Sequence, residues 1–512
     1  MQFIQGKNRT QSILFPQSLD QIIEQGNEVR IIDLFVESIS LADFKFIIKT
    51  STEGRPAYHP KDLLKLFVYG YLNHIRSSRL LEKECKRNIE LMWLMKELSP
   101  DHNTISNFRR DNEKAIRKTF RCTVSVASHF ELIGGTLVAG DGTKLRAQNS
   151  KKNNFNEGKI ERHIAYIDAK LDEYNKALEA ADNDNPQSAV HKQTIEQHIQ
   201  KHTERKIGYE DLSKQLEQTG ASQVSTADPE SRELTTRNNI TEIAYNIQTV
   251  VDAKHNLPID YKVTNTNDSR AMSGMLRRAK TILGTSDFMA LYDKGYYAGI
   301  EIKKAMELGI KIMVAVPGTS SKAPDENYNL NHFKYDELTD TYSCPQQNIL
   351  ITNGRWYNKG TQSNQHLIKH YTTTACATCP AKPLCTKNAN GRAIQRSEYT
   401  PYIEKNRLAI EANPELYKKR QSIVEHPYGT IKRQWGFYYI ITKKGIRRAS
   451  ADVGFMFIAY NLRRIMNIID KNRLKQFLQE LVLLFFRKMI ALKCLYFKMK
   501  HHFANEVLIS YS

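Results

Sequence analysis

Two short apolar runs, each closed by an aspartate with glycine close by, constrain this chain most. Leu137-Val138-Ala139-Gly140 leads into Asp141-Gly142-Thr143-Lys144, and Phe288-Met289-Ala290-Leu291-Tyr292 leads into Asp293-Lys294-Gly295-Tyr296. Apolar runs this short, bounded by glycine, read as buried strands. Further strand patterns lie at 244–252 and 259–263, followed by a helix at about 270–283, a helix near 298–308 and a strand at 311–316. Strands followed by alternating helix and strand predict an α/β (α+β) fold with a mixed sheet, Asp141 and Asp293 sitting at strand C-termini. Neighbouring strands lie about 4.8 Å apart, so the two acids meet if their strands are adjacent. Carboxylates at the ends of buried strands are costly unless neutralised, and a pair of divalent cations does that.

A third acid, Glu425, sits in a basic, helix-prone stretch, Tyr417-Lys418-Lys419-Arg420-Gln421-Ser422-Ile423-Val424-Glu425-His426-Pro427. Acids drawn from distant segments suit two metals about 3.5–4 Å apart, one activating a water or 3′-hydroxyl and the other stabilising the leaving oxygen. Oxygen ligands select Mg²⁺ or Mn²⁺. For any one strand-end aspartate alone, a turn cap is the simpler reading. Pro427 cannot donate to the carbonyl of Ile423, so a kink is expected beside Glu425.

The charge balance points to the partner. Lys plus Arg outnumber Asp plus Glu by 75 to 55, a net charge of +20. Such a surplus repels itself unless a polyanion is bound, so nucleic acid is the leading ligand class, although a basic enzyme of another kind fits charge alone. No apolar N-terminal segment of signal length is visible, and Leu481–Phe486 is interrupted by Arg487, Lys488 and Lys493. A cytoplasmic protein with no membrane partner is therefore expected. Seven cysteines fit that compartment. Cys376-Ala377-Thr378-Cys379 and Cys385, with Cys344 upstream, supply four thiols and suit a closed structural Zn²⁺ site, against unlinked reduced thiols as the alternative.

Residues 60–119 read as short helices, with Leu63, Leu64, Phe67, Val68 and Tyr71 on one stripe of the first, after Pro60. A helix beginning at Asn103 or Thr104 carries Arg109 and Arg110, which suits a helix-turn-helix reader of DNA; a helical packing domain with a solvated Arg face fits the pattern equally. Only a mixed segment with a helix near Ser40–Ile48 is expected before it. Residues 155–220 are polar and helical with a narrow seam of Ile160, Ile164, Ile167 and Leu171, the mark of a helical hairpin. Lys144, Arg146, Lys151, Lys152 and Lys294 follow the aspartates closely and suit phosphate contact. Trp435 reads as core packing ahead of base stacking, and Arg463 and Arg464 as part of a helix packed on the sheet.

With these residues in hand, a resemblance emerges. Asp141-Gly142-Thr143, Asp293-Lys294-Gly295-Tyr296 and the Glu425 segment resemble the three acid motifs of bacterial insertion-sequence DDE transposases. Residues 58–120, with Tyr58-His59-Pro60 and Asp101-His102-Asn103-Thr104-Ile105-Ser106, are similar to the InsH-type N-terminal domain of that group. Thr226-Ala227-Asp228-Pro229-Glu230 and Tyr245-Asn246-Ile247-Gln248-Thr249-Val250-Val251-Asp252 match further family stretches.

The resemblance runs from about residue 8 to 466 and implies an RNase H-like catalytic fold with Asp141, Asp293 and Glu425 as catalytic metal ligands. It implies an N-terminal DNA-binding domain at 1–130, a catalytic domain at 131–465 with insertions at 155–235 and 317–410, and a helical tail at 466–512. It further implies double-stranded DNA as partner, as terminal inverted repeats and as target, with a homo-oligomer on paired ends and a nucleoid location. A nuclease without strand transfer, or an inactive DNA-binding derivative, keeps the same fold. The family signature Y-x2-R-x3-E-x6-K is met by Tyr417, Arg420, Glu425 and Lys432 with one extra residue before the Glu. On a regular helix that sets Arg420 aside from the face of Tyr417, Gln421 and Glu425, while Tyr417 and Lys432 keep roles at DNA phosphates.

Overall fold

The computed structural model describes residues 18–48, 56–181, 186–236, 240–318, 323–361, 365–442 and 444–484. They form two compact units, one drawn from the segments up to Gly134, Gly142–Thr266 and Glu425 onward, the other from Gly135–Asp141 and Asn267–Val424.

The first unit opens with helices, among them α1 (Glu28–Glu37), α2 (Pro60–Leu72), α3 (Ser78–Cys85), α4 (Ile89–Leu94), α5 (His102–Asp111) and α6 (Glu113–His129). α1 lies in the segment read as mixed, and the helix expected near Ser40–Ile48 is a single turn, Leu41–Phe44, capped by Ser40. α5 begins one residue earlier than expected because Asp101, ahead of Asn103 and Thr104, caps it by accepting both their N–H groups. Pro60 opens α2, where the missing N–H costs nothing. Almost all of α2 is buried, Lys65 included, whose ammonium stands 2.6 Å from Asp33 and 2.7 Å from Glu37.

Strand β1 (Leu137–Arg146) is followed by β2 (Arg232–Thr235), β3 (Thr241–Asp252) and β4 (Leu257–Thr264). β3 pairs antiparallel with β2 and with β4, and has β1 on its open side. Between β1 and β2 stand the two long helices of the expected hairpin, α7 (Glu157–Ala181) and α8 (Pro186–Thr219). Phe155, Ile160, Leu216 and Val224 form the buried root of the hairpin, and Ile167 extends the seam outward.

Strands β5 (Met289–Tyr292) and β6 (Lys311–Val314), with helices α9 (Met272–Leu283) and α10 (Gly299–Glu307), build the sheet half of the second unit. β1 pairs parallel with β5, and β5 parallel with β6, so the sheet is mixed, as the α/β (α+β) reading expected. A small region follows with two three-stranded sheets. The first contains β7 (Lys334–Asp336), β8 (Thr341–Ser343) and β9 (Ile349–Leu350), the second β10 (Tyr357–Lys359), β11 (His366–Tyr371) and β12 (Ile394–Ser397). Phe333, Tyr342, Leu350, Tyr371 and Ile394 are its core.

Helix α11 (Thr400–Ala412) then covers the edge strand β6. Its fully buried Asn406 side chain accepts from the Val314 N–H and donates to the Val314 carbonyl, both at 2.8 Å. An unpaired strand edge is thereby closed by one amide.

Helix α12 (Pro414–Tyr428) begins in the second unit, and its last four residues, from Glu425, belong to the first. Pro427 does not end it. The helix instead passes into a π-helical turn, Gly429–Gln434, which begins two residues after Pro427, a residue with no N–H to donate. The last long helix, α13 (Ile446–Ile468), is buried over most of its length and packs on α2, α6 and β4. Residues 471–484 are helical, while the remainder of the apolar and basic stretch Phe477–Phe497 lies outside the described residues. Among the described residues no helix is long and apolar enough to cross a membrane.

Candidate active site

In the second unit the strand register sets the two aspartates level with each other. β1 and β5 pair in parallel with Leu137 opposite Met289, Val138 opposite Ala290 and Ala139 opposite Leu291. Two residues past the Ala139–Leu291 pair come Asp141, still within β1, and Asp293, the first residue after β5, in extended conformation. One expectation needs correcting: Asp141 does not end its strand. β5 stops at Tyr292 while β1 runs on to Arg146, because the Gly142–Arg146 stretch finds partners of its own in the first unit. Arg146 donates to Tyr438 O, Ala147 donates to Ile243 O, and Leu145 is buried. Asp293 does end its strand, and its Oδ1 accepts from the Gly295 N–H at 2.9 Å, capping a 3₁₀ turn over Lys294–Tyr296. The turn-cap reading thus holds for Asp293 without occupying its second oxygen in that contact.

Gly140 has a packing reason. A Cβ built there would lie 2.1 Å from ring carbons of Tyr292. The ring of Tyr292, buried and 4.8 Å from the ring of Tyr296, covers the backbone just before Asp141. Only glycine lets strand and ring approach so closely.

The first half of α12 faces these acids. Tyr417 donates its hydroxyl to the Tyr292 carbonyl at 3.0 Å. Burial raises the Tyr417 phenol above its usual range, Arg420 opposes that, and the charge of Asp293 adds to it. Arg420 reaches Asp141, its Nη1 3.5 Å from Oδ2. The expectation that Arg420 points aside is therefore wrong. Three residues along a helix is a rotation of only about 60° from Tyr417, and the long guanidinium arm covers the difference. The Tyr-x2-Arg spacing carries that signal, and the extra residue between Arg420 and Glu425 masks it.

In the first unit, Lys432 on the π-helical turn donates to Thr143 Oγ1 at 3.0 Å and to the Lys144 carbonyl at 3.3 Å. The turn is thus fastened to β1 just past Asp141. Tyr428, beside it, is 2.5 Å from Thr249 Oγ1 through its hydroxyl. Glu425 opens this part of the chain, and the next residue, His426, is bonded through Nδ1 to the Tyr460 hydroxyl at 2.7 Å. Trp435 packs against His74, Phe437 and Tyr460, as its core reading implied. Arg463 and Arg464 are spent on Glu28 and on the His255 carbonyl.

Of the cations expected at DNA, Lys294 and Arg110 are exposed and Lys144 is half-buried. Arg109 is not available. It is only 4% exposed, donates to the Tyr71 hydroxyl at 2.9 Å and lies 3.9 Å from Asp452, inside the helical core. The helix that carries both arginines turns the first inward and the second outward, because consecutive residues sit about 100° apart.

Among the described residues no group of three or more His, Cys, Asp or Glu side chains is gathered closely enough to hold a metal ion. The four thiols expected at zinc are all unbridged and line one small cavity of about 20 Å³. Burial pushes the Cys385 thiol up, Arg392 opposes it, and Cys376, Cys344 and Cys379 add to the rise. Gly391, at φ +86°, passes so close that its Cβ would lie 2.5 Å from Cys376 Cβ.

Comparison with known proteins adds two family matches, in chain order. A transposase domain (DUF772) matches residues 17–111, and a transposase DDE domain matches residues 343–466. No curated protein matches. Among solved structures, the cryo-EM structure of a piggyBac transposase synaptic complex with hairpin DNA is similar at 9% identity, covering 89% of this chain and 79% of that one, with a TM-score of 0.25, too low to define a shared fold. The two domain matches, one over the N-terminal helices and one ending within α13, give this chain the transposase domain and the transposase DDE domain of a DDE transposase.

Proposed function

We propose that Asp141, Asp293 and Glu425 are the catalytic acids of this DNA transposase, cutting the ends of its own element and joining the freed 3′-hydroxyls to target DNA. The family implies dependence on a divalent metal, and carboxylate oxygens suit Mg²⁺ or Mn²⁺, two ions being the reading for this site. Bound there, such ions would supply the polarisation and charge stabilisation that phosphoryl transfer needs.

One observation carries the proposal: the level placement of Asp141 and Asp293 on adjacent parallel strands, with Arg420 of the Glu425-bearing helix 3.5 Å from Asp141. Arg420 holds the Asp141 carboxylate in place and sets positive charge where a phosphodiester would approach. Tyr417, tied to the Tyr292 carbonyl, fixes the pitch of α12 over the strand ends. Lys432, Lys144 and Lys294 are the remaining phosphate contacts in this reading. The N-terminal helices, to about residue 130, read the terminal inverted repeats, and residues 131–465 form the catalytic domain of a homo-oligomer on paired ends, working in the cytoplasm at the nucleoid.

The test is DNA carrying the gene's own flanks, incubated with Mg²⁺ and a labelled target. Covalent joint molecules are expected, and Asp293→Asn should abolish cleavage while end binding persists. Cleavage that survives in Asp293→Asn removes the assignment, and hydrolysis without joint molecules makes the enzyme a nuclease.

We also propose a structural Zn²⁺ on Cys344, Cys376, Cys379 and Cys385. The support is the shared cavity and the close pass of Gly391 over Cys376; the thiols would have to draw together to reach tetrahedral distance. Protein purified without chelator should carry about one zinc per chain, released when a mercurial titrates the thiols. Absence of zinc, or zinc retained in full by Cys379→Ser, removes this site.

A further inference from the structure

The N-terminus of α13 carries a feature that helix electrostatics disfavours. Arg447 and Arg448 occupy its first turn, and Lys444 stands just before the cap Gly445, with no acid in the turn. Cations at a helix N-terminus oppose the macrodipole and cost roughly 0.3–1 kcal/mol each. The chain offsets this from elsewhere. Asp228 accepts from the Gly445 N–H at 2.9 Å and Glu230 from the Ile446 N–H at 2.8 Å, so the Asp228-Pro229-Glu230 stretch caps this helix from a distance. Asp228 is itself held by the buried Tyr245 hydroxyl at 2.6 Å.

A local rule broken and then compensated by a built cap marks residues kept for another purpose. Arg447 and Lys444 are exposed and Arg448 is half-buried. Among the described residues the side chains of all three make no ion pair. They line an open groove of about 500 Å³ together with Arg110, Asp111 and Glu230. Both acids of the groove are engaged, Asp111 by Arg110 at 2.6 Å and Glu230 by the helix N–H. Lys432 and Arg420, by contrast, are already bonded inside the protein, and Arg109 is buried.

We infer that this groove is a docking surface for the phosphate backbone of double-stranded DNA, with Lys444, Arg447 and Arg448 as its contacts. The inference rests on the transposase reading for the partner and names a surface outside the acid site. Unpaired cations around an open groove bind phosphates by releasing counterions, which makes the affinity fall with salt.

The experiment measures binding of a labelled duplex to the full chain by anisotropy over a salt series. The triple variant Lys444→Gln/Arg447→Gln/Arg448→Gln is compared with Lys176→Gln/Lys201→Gln/Lys214→Gln on the hairpin, which removes the same charge. The groove variant should lower the slope of log K against log salt by about 2–3, from roughly 0.9 per phosphate contact, with its melting temperature kept. The hairpin variant should leave the slope near wild type. An unchanged slope in the groove variant, or an equal loss in both, overturns the groove. Failure of the transposase reading would look different: wild type would cleave no flanking DNA, whatever the slopes.

Discussion

A guanidinium 3.5 Å from a carboxylate at a partly exposed site adds little to the stability of a fold, typically under about 1 kcal/mol. Arg420→Gln is therefore expected to melt within a few degrees of wild type while end cleavage falls about tenfold or more, the loss of a contact worth ~1.4 kcal/mol at the transition state. Melting curves beside a cleavage assay check this, and a large melting shift with full cleavage would make Arg420 a structural residue. Gly140 is the opposite case. Gly140→Ala drives a methyl into the Tyr292 ring, and overpacking of this kind costs about 1–3 kcal/mol. Chemical denaturation should show that loss, and Tyr292→Ala in the same chain should recover part of it; strictly additive losses would contradict the contact. The strand settings of Asp141 and Asp293 were legible in the sequence because the apolar runs before them are local. The Tyr292 ring over Gly140 was not, since it is a meeting of two strands far apart in the chain.

At the scale of elements, the sequence patterns located most strands and helices of the sheet, because apolar periodicity is set by burial. They missed α1, and they ended β1 too soon, at Asp141, since Gly142 and Lys144 look like a loop until the partners of Leu145 and Arg146 are known. The inward turn of Arg109 was hidden for a related reason: its partner Asp452 lies on α13, at the other end of the chain. Asp452 is fully buried and accepts from Tyr71, from Arg76 at 2.7 Å and from the Ile441 N–H at 2.8 Å. Removing one member of a buried charge network leaves the others unpaired, at a cost of about 3–5 kcal/mol. Asp452→Ala should therefore lower unfolding free energy by that amount. A change under about 1 kcal/mol, the level of an exposed pair, would show that the network is solvated.

The whole molecule combines an N-terminal helical region, a mixed sheet, a long hairpin and a small two-sheet region, and the chain divides into two compact units with boundaries that fall within β1 and α12. Net positive charge pointed to nucleic acid from composition alone, but not to the surface that meets it. Lys432 and Arg420, near the acids, are bonded inside the protein, while Lys444, Arg447 and Arg448, with no ion pair among the described residues, line a groove at the start of α13. The four cysteines were visible by spacing, and their shared cavity emerges only when the strands between them fold back. The claim on which the account turns is that three acids act as one set. It is tested most directly by cleavage and joining of flank-bearing DNA in Mg²⁺ by Asp141→Asn, Asp293→Asn and Glu425→Gln side by side. Each variant is expected to bind the ends as wild type does and to neither cut nor join them; wild-type cutting by Glu425→Gln would contradict the account.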